Sequence, residues 1–151
     1  FLSLYRIFEH GYLSVVFNNL ENEFLKNPKE CISAASLALE SELNQFITLA
    51  KDAGLRDVFE RFVSEFESIK AKCNKYAYAI DKSFQCSKQS KMISNKLEKG
   101  VMIFYKIRCS IVHAGASAPM IESYPDGQQC LESLLKICEE AVMQFLEVNL
   151  D

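Results

Sequence analysis

The sequence predicts an all-α protein, an antiparallel bundle of four to five long helices. Apolar residues recur at spacings of three and four residues along most of the chain, which is the period of an amphipathic helix. No stretch between turn signals shows the alternation of apolar and polar residues that is typical of strands. Short linkers between long helices favour antiparallel neighbours, and therefore a bundle.

The first two helices are bounded by recognisable start and stop residues. A first helix is expected over residues 1 to about 26, where Gly11 marks either a close helix contact or a kink. Asn27 as the N-cap and Pro28 in the first turn predict the start of a second helix. Gly54 is a suitable residue to end that helix.

Three more helices follow from the same spacing. A third helix is expected over residues 55 to about 84. The fourth begins near Lys91 or Ser94 and ends at His113. The fifth covers residues 128 to about 148.

Length and composition are those of one globular domain. The 151 residues, 49% hydrophobic and 25% charged, suit a single core. The first residue is Phe and the opening residues have the pattern of mid-helix, so we expect residues 1–151 to be one domain excised from a longer chain. The net charge of -3 argues against a broad, non-specific nucleic-acid binder. No apolar run reaches the roughly 20 residues of a membrane span, so no membrane partner is expected.

The six cysteines contain no CxxC pair, and most of them fall in predicted helices. A chain with this much apolar residue does not need a disulfide framework. Buried free thiols in a reducing cytosol are the simplest interpretation, and they predict a cytoplasmic protein.

The most informative stretch is the apolar run from Val101 to Val112, preceded by Gly100, which would permit a close helix crossing. Only Lys106, Arg108 and Ser110 interrupt the run, which predicts a helix that is buried on nearly all sides. Arg108 falls near the centre of the apolar stripe. A guanidinium there is costly unless it is paired or faces a cleft or partner.

Arg108 is followed five residues later by His113, one of two histidines in the chain. On an unbroken helix they point about 140° apart. They converge if the helix ends or distorts at His113, which Gly115 and Pro119 favour. A fixed cation and an acid/base group near neutral pH would then meet at one anionic site. The alternative is a buried ion-pair arginine and a histidine that caps the helix C-terminus.

Weaker features surround this pair. Seven basic residues and one acid lie between Lys82 and Arg108, which indicates either a positive patch or a solvated helix face. Glu9 is a candidate carboxylate partner for Arg108 on the first helix, although a surface position suits it better. Cys109 and His113 have a spacing that two metal ligands on a helix can share, but two ligands do not make a site, and we expect no metal or cofactor.

The segment Arg108-Cys109-Ser110-Ile111-Val112-His113-Ala114-Gly115 resembles the Arg-x(4–6)-His motif of the HEPN superfamily (higher eukaryotes and prokaryotes nucleotide-binding), in its Arg-Asn-x-Ile-Val-His-x-Gly form. The match of individual residues is confined to residues 105–115, whereas the resemblance in architecture extends over nearly the whole chain. It implies a four- or five-helix bundle that forms a homodimer, with two motifs facing one cleft.

Many members of that superfamily are metal-independent endoribonucleases of toxin–antitoxin, abortive-infection and CRISPR systems, and others only bind RNA or nucleotides. The resemblance implies Arg108 and His113 as catalytic residues. Candidate RNA contacts nearby are Tyr105 by stacking, Lys106 by charge, Ser110 through its hydroxyl, and Lys99. The partners implied are RNA, a second copy of the chain, and an antitoxin or other domains of the full-length protein.

One position departs from the motif. The residue after the arginine is commonly Asn, Asp or His in active members, and here it is Cys109, a weak hydrogen-bonding group. Two alternatives to the ribonuclease therefore stay open. One is a catalytically inactive RNA-binding or dimerisation module. The other is a purely structural helical domain in which Arg108 pairs with an internal carboxylate.

Overall fold

A computed structural model describes residues 1–40, 42–85, 93–112 and 119–149. The described part of the chain is all-α, as predicted, and forms a helical bundle. It contains seven α-helices and one short 3-10 helix: α1 (Leu2–Phe24), α2 (Pro28–Glu40), α3 (Glu42–Asp52), α4 (Arg56–Ala71), α5 (Lys75–Gln85), α6 (Lys96–Val112), the 3-10 helix (Ile121–Ser123) and α7 (Gly127–Asn149).

α6 is the central helix of the bundle. Eleven of its 17 residues are buried, which confirms the prediction of a helix surrounded on nearly all sides. Phe104 of α6 joins the other helices, because its ring centroid lies 5.7 to 6.1 Å from those of four other phenylalanines. These rings come from α1, α3 and α4: Phe8, Phe46, Phe59 and Phe62. Edge-to-face packing of this kind adds to the free energy of area burial.

Two glycines allow helices to approach closely, as the sequence predicted. A Cβ on Gly100 of α6 would lie 2.7 Å from the backbone oxygen of Phe59 in α4. A Cβ on Gly11 of α1 would lie 2.5 Å from the ring of Phe145 in α7. At Gly100 a side chain would push the helices apart because it would meet backbone, whereas at Gly11 it would first displace the Phe145 ring.

The third predicted helix is wrong in its extent, because the chain breaks between α4 and α5. Cys73 has a φ of 63°, which ends α4. Asn74 then caps α5, since its side-chain oxygen accepts a hydrogen bond from the N–H of Ala77 at 2.8 Å. The carboxylate of Asp126 accepts hydrogen bonds from the N–H groups of Lys75 and Tyr76. A cap from a distant loop has no signal in local spacing.

The second predicted helix is described in two segments, α2 and α3, which are separated by a single residue. The start at Pro28 and the stop at Gly54, whose φ is 66°, are as predicted. Ser41 lies outside the described residues.

The start of α6 is fixed by a cap slightly later than predicted. The side-chain oxygen of Asn95 accepts a hydrogen bond from the N–H of Glu98 at 2.9 Å. The Glu98 carboxylate accepts one from the N–H of Ser94 at 2.8 Å. Each of the two side chains therefore accepts a hydrogen bond from a backbone N–H group at the start of the helix. None of the helices in the described part of the chain is long and apolar enough to cross a membrane.

Candidate functional site

Arg108 lies at the edge of the core, where α6 packs against α1 and α3. Its guanidinium carbon is 5.1 Å from the ring centroid of Tyr5, close enough for a cation–π interaction. The Arg108 side chain is 15% exposed. The position is therefore mostly buried but open to solvent on one side.

The carboxylate beside Arg108 belongs to Glu42, in the first turn of α3, and not to Glu9. The Nη2 atom of Arg108 is 3.5 Å from the Oε1 atom of Glu42. The same Oε1 atom accepts hydrogen bonds from the hydroxyls of Tyr5 at 2.8 Å and Tyr12 at 3.1 Å. One carboxylate oxygen therefore accepts hydrogen bonds from two tyrosines and also lies nearest the arginine.

Within the described residues, the Arg108 guanidinium makes no hydrogen bond to a nitrogen or oxygen atom. Its distance of 3.5 Å from Glu42 exceeds the usual length of such a bond. Among those residues, no fully buried side-chain nitrogen or oxygen atom lacks a hydrogen-bond partner. With 15% of its side chain exposed, Arg108 also retains contact with solvent. Within the described residues, Glu42 compensates the charge of Arg108 and no nitrogen or oxygen atom accepts a hydrogen bond from its guanidinium.

Burial and neighbouring charges fix the protonation states of Tyr5, Tyr12 and Arg108. Burial raises the pKa of Tyr5, and the hydrogen bond to Glu42 raises it further. Burial and the Glu42 charge also raise the pKa of Tyr12. Burial alone would lower the pKa of Arg108, but the Glu42 carboxylate and the other neighbours outweigh it and raise that pKa. Both hydroxyls are thus donors and Arg108 is a cation at neutral pH.

His113 lies outside the described residues, so the structure does not place the second residue of the motif. The last described residue before it, Val112, is exposed. Val112 is one turn beyond Arg108, about 6 Å along the helix axis. Val112 therefore presents an exposed side chain on the side of α6 that carries Arg108.

The other predicted RNA contacts are not brought together around Arg108. Ser110 is fully buried and hydrogen-bonds with the Tyr76 hydroxyl, so it cannot reach RNA at the surface. Lys106 is only 6% exposed and has no ion pair within the described residues. Nine residues before Arg108, Lys99 lies on the opposite side of α6, about 13 Å along the axis. Its Nζ atom is 2.8 Å from a Glu67 carboxylate oxygen.

Tyr105 is the candidate that does lie beside the cluster. It is half-buried, and its ring centroid is 6.5 Å from that of Tyr5. Burial raises the pKa of Tyr105, and the Cys109 thiol and the Glu42 carboxylate raise it further. Cys109 is itself 6% exposed and packs as a core residue.

The predicted positive patch is weaker than its sequence implies. Lys82 and Lys96 are exposed. Lys99 is paired, Lys106 is buried, and Arg108 has Glu42 beside it. The remaining two lysines, at positions 88 and 91, lie outside the described residues.

Within the described ranges, no group of three or more His, Cys, Asp or Glu side chains is arranged to hold a metal ion. No model of a known protein family matches the chain, and no curated protein or solved structure matches it either.

Sequence reasoning missed Glu42, Tyr5 and Tyr12 as neighbours of Arg108. The two tyrosines are seven residues apart, which places them on one face of α1 two turns from each other. That spacing is a usable signal. The approach of Glu42 depends on how α3 packs against α1 and α6, which local sequence does not encode.

Proposed function

We propose that this domain is a metal-independent endoribonuclease whose active site contains Arg108 and His113. The observation that carries the proposal is the state of Arg108: a mostly buried guanidinium with a compensated charge and open hydrogen-bond donors. The resemblance of the motif to the HEPN superfamily and the all-α fold support the same conclusion.

RNA cleavage without a metal requires a base for the ribose 2′-OH, a cation for the phosphorane and an acid for the departing 5′-oxygen. Histidine near neutrality serves as acid or base. Arginine holds two phosphate oxygens and stabilises the charge that develops on them. In a homodimer with both motifs at one cleft, one His113 accepts a proton and the other donates one. In this proposal, the domain acts in the cytoplasm as the effector of a toxin or phage-defence system.

The alternative function is an inactive RNA-binding or dimerisation module. Two observations favour it: Glu42 already compensates the charge of Arg108, and Cys109 is buried where active HEPN members commonly carry Asn, Asp or His. In a purely structural domain, Arg108 would serve only as the internal ion-pair partner of Glu42.

The test is cleavage of a labelled single-stranded RNA in the presence of EDTA. Wild-type protein should cleave, and His113→Ala should lower the rate by about 10²-fold or more. His10→Ala is the matched control, because His10 is the other histidine and is exposed on α1.

An absence of cleavage by wild type, or equal rates for wild type and His113→Ala, removes the enzyme proposal. RNA binding and dimerisation that survive His113→Ala without any cleavage then support the inactive module. Sedimentation in the ultracentrifuge measures the oligomeric state directly.

A further inference from the structure

The contact between Arg108 and Glu42 differs from every other ion pair in the described residues. The six others have nitrogen–oxygen distances of 2.6 to 3.0 Å, whereas Arg108 and Glu42 are 3.5 Å apart. An arginine beside a carboxylate in a mostly buried position normally closes to about 2.7–2.9 Å, often through two parallel hydrogen bonds. Something therefore keeps this pair from closing.

Two tyrosine hydroxyls account for the separation. A carboxylate oxygen has about two lone-pair sites. On the Oε1 atom of Glu42 both are used, by Tyr5 at 2.8 Å and Tyr12 at 3.1 Å. That oxygen is the one nearest Arg108. Its capacity to accept a hydrogen bond from the guanidinium is therefore already spent.

The two tyrosines are fixed in place by the core. Tyr5 is 1% exposed and Tyr12 is 4% exposed. The Tyr5 ring makes an edge contact with Phe46 of α3, with centroids 5.6 Å apart. Because the rings cannot move far, the hydroxyls define where the carboxylate sits.

We propose that Tyr5 and Tyr12 are positioning residues that hold the Glu42 carboxylate away from Arg108, so that the guanidinium donors remain free for an RNA phosphate. This inference rests on the proposed function, in which Arg108 binds the phosphate group. Glu42 compensates the charge of the arginine without occupying its donors. In the absence of the hydroxyls, the carboxylate closes onto Arg108 and competes with the phosphate.

Two substitutions distinguish the effect of the Glu42 charge on RNA binding from the effect of the carboxylate's position. Tyr12→Phe keeps the ring and removes one restraint on the carboxylate, so RNA should bind more weakly. Glu42→Gln keeps an oxygen for the tyrosines and removes the negative charge, so RNA should bind more tightly. In the Glu42→Gln background no carboxylate remains to close, and Tyr12→Phe should then have no effect.

The experiment measures binding of a fluorescent 2′-O-methyl RNA 12-mer, which cannot be cleaved, by anisotropy at one fixed salt concentration. Tyr12→Phe should raise the Kd by about threefold to tenfold, and Glu42→Gln should lower it by a similar factor. Tyr78→Phe is the matched control, since Tyr78 is exposed on α5. The double variant should match Glu42→Gln alone. Thermal unfolding checks that each variant is folded.

A second measurement is independent of RNA. Hydrogen exchange of the Arg108 guanidinium protons, followed by NMR in the free protein, should be slower in Tyr12→Phe than in wild type because the carboxylate then covers them. Unchanged exchange, or equal effects of Tyr12→Phe with and without Glu42→Gln, overturns the positioning role. If Arg108→Ala binds RNA as wild type does, the proposed function fails, and the exchange measurement still decides the role of the tyrosines.

Discussion

The ion pairs at the two ends of α6 differ in their nitrogen–oxygen distance and in whether they are hydrogen-bonded. At the N-terminal end, the Nζ atom of Lys51 is 2.6 Å from Glu98 and that of Lys99 is 2.8 Å from Glu67. Each of these ions is hydrogen-bonded to its partner. At the C-terminal end, Arg108 lies 3.5 Å from its carboxylate and makes no such bond.

If the proposed function is correct, the difference separates the charges that stabilise the fold from the one that is available to a ligand. In a closed pair, a donor is already hydrogen-bonded to a carboxylate of the protein and must leave it before it can bind a substrate. An open pair gains less for the fold, but its donors can be transferred to an incoming anion without first breaking a strong bond. Arg108 is the open pair on this helix.

The largest effect that tests this contrast is expected from Arg108→Lys. Lysine keeps the positive charge between Glu42 and Tyr5 but cannot hold two phosphate oxygens in parallel. RNA cleavage should fall by about 10²- to 10³-fold, whereas the free energy of unfolding should change by less than about 1 kcal/mol. Cleavage kinetics and urea denaturation measure the two quantities. A large loss of stability with unchanged cleavage would instead place Arg108 among the closed, structural pairs.

A large effect on stability is expected from Gly100→Ala. The added methyl group would lie 2.7 Å from the Phe59 backbone oxygen, an atom that cannot rotate away. Separating α4 from α6 should lower the free energy of unfolding by about 2–3 kcal/mol. Gly54→Ala is an informative comparison, because a Cβ there meets no atom within 4 Å and its cost comes from the φ of 66° alone.

Acid should weaken the closed end of α6. Hydrogen bonds from Lys51 and Ser94 lower the pKa of Glu98 from 4.5 to about 2. A carboxyl group whose pKa is lower in the folded state stabilises the protein above its unfolded pKa, and this contribution is lost as the pH falls from about 4.5 to about 2.

The expected loss is about 1–2 kcal/mol, less than the full shift implies because Lys51 is half-exposed. Denaturant titrations at several pH values measure it. Glu98→Gln should remove this part of the pH dependence, and an identical acid profile in that variant would contradict the assignment.

The smallest effect is expected from Lys99→Gln. The pair with Glu67 is part of a network with Lys70, but Lys99 is 30% exposed, so its loss should cost less than about 1 kcal/mol. RNA binding should be unchanged, because Lys99 faces away from Arg108. Weaker binding by Lys99→Gln, measured by anisotropy beside Lys96→Gln, would restore Lys99 to the RNA-contacting surface.

Local features of the fold were predictable from the sequence because they depend on local chemistry. The burial of α6, the close approaches at Gly11 and Gly100, and the helix boundaries at Pro28 and Gly54 all follow from composition and spacing. The division of the third predicted helix did not follow, because apolar spacing continues through Cys73. The cap that starts α5 comes from Asp126, more than fifty positions away in the chain.

The candidate site was predictable only in part. Arg108 was predictable as a site residue from the sequence alone, because it is an isolated arginine in an apolar run. Glu9 on the first helix was considered as its partner, although a surface position suited Glu9 better, and the carboxylate beside Arg108 is Glu42 of α3. Ser110 and Lys106 lie within the same short segment as Arg108, yet helix geometry turns them into the interior. Proximity in sequence is a poor guide to a shared surface on a buried helix.

The cap of α5 limits where this domain tolerates an inserted peptide or a new chain end. Asp126 joins the N-terminus of α5 to the loop before α7, and Asn74 donates back to the Asp126 carbonyl oxygen at 3.1 Å. These hydrogen bonds hold the two loops together. A peptide tag spliced in beside Asp126, or a circular permutation opened there, would release both ends at once, so engineered junctions belong elsewhere on the molecule.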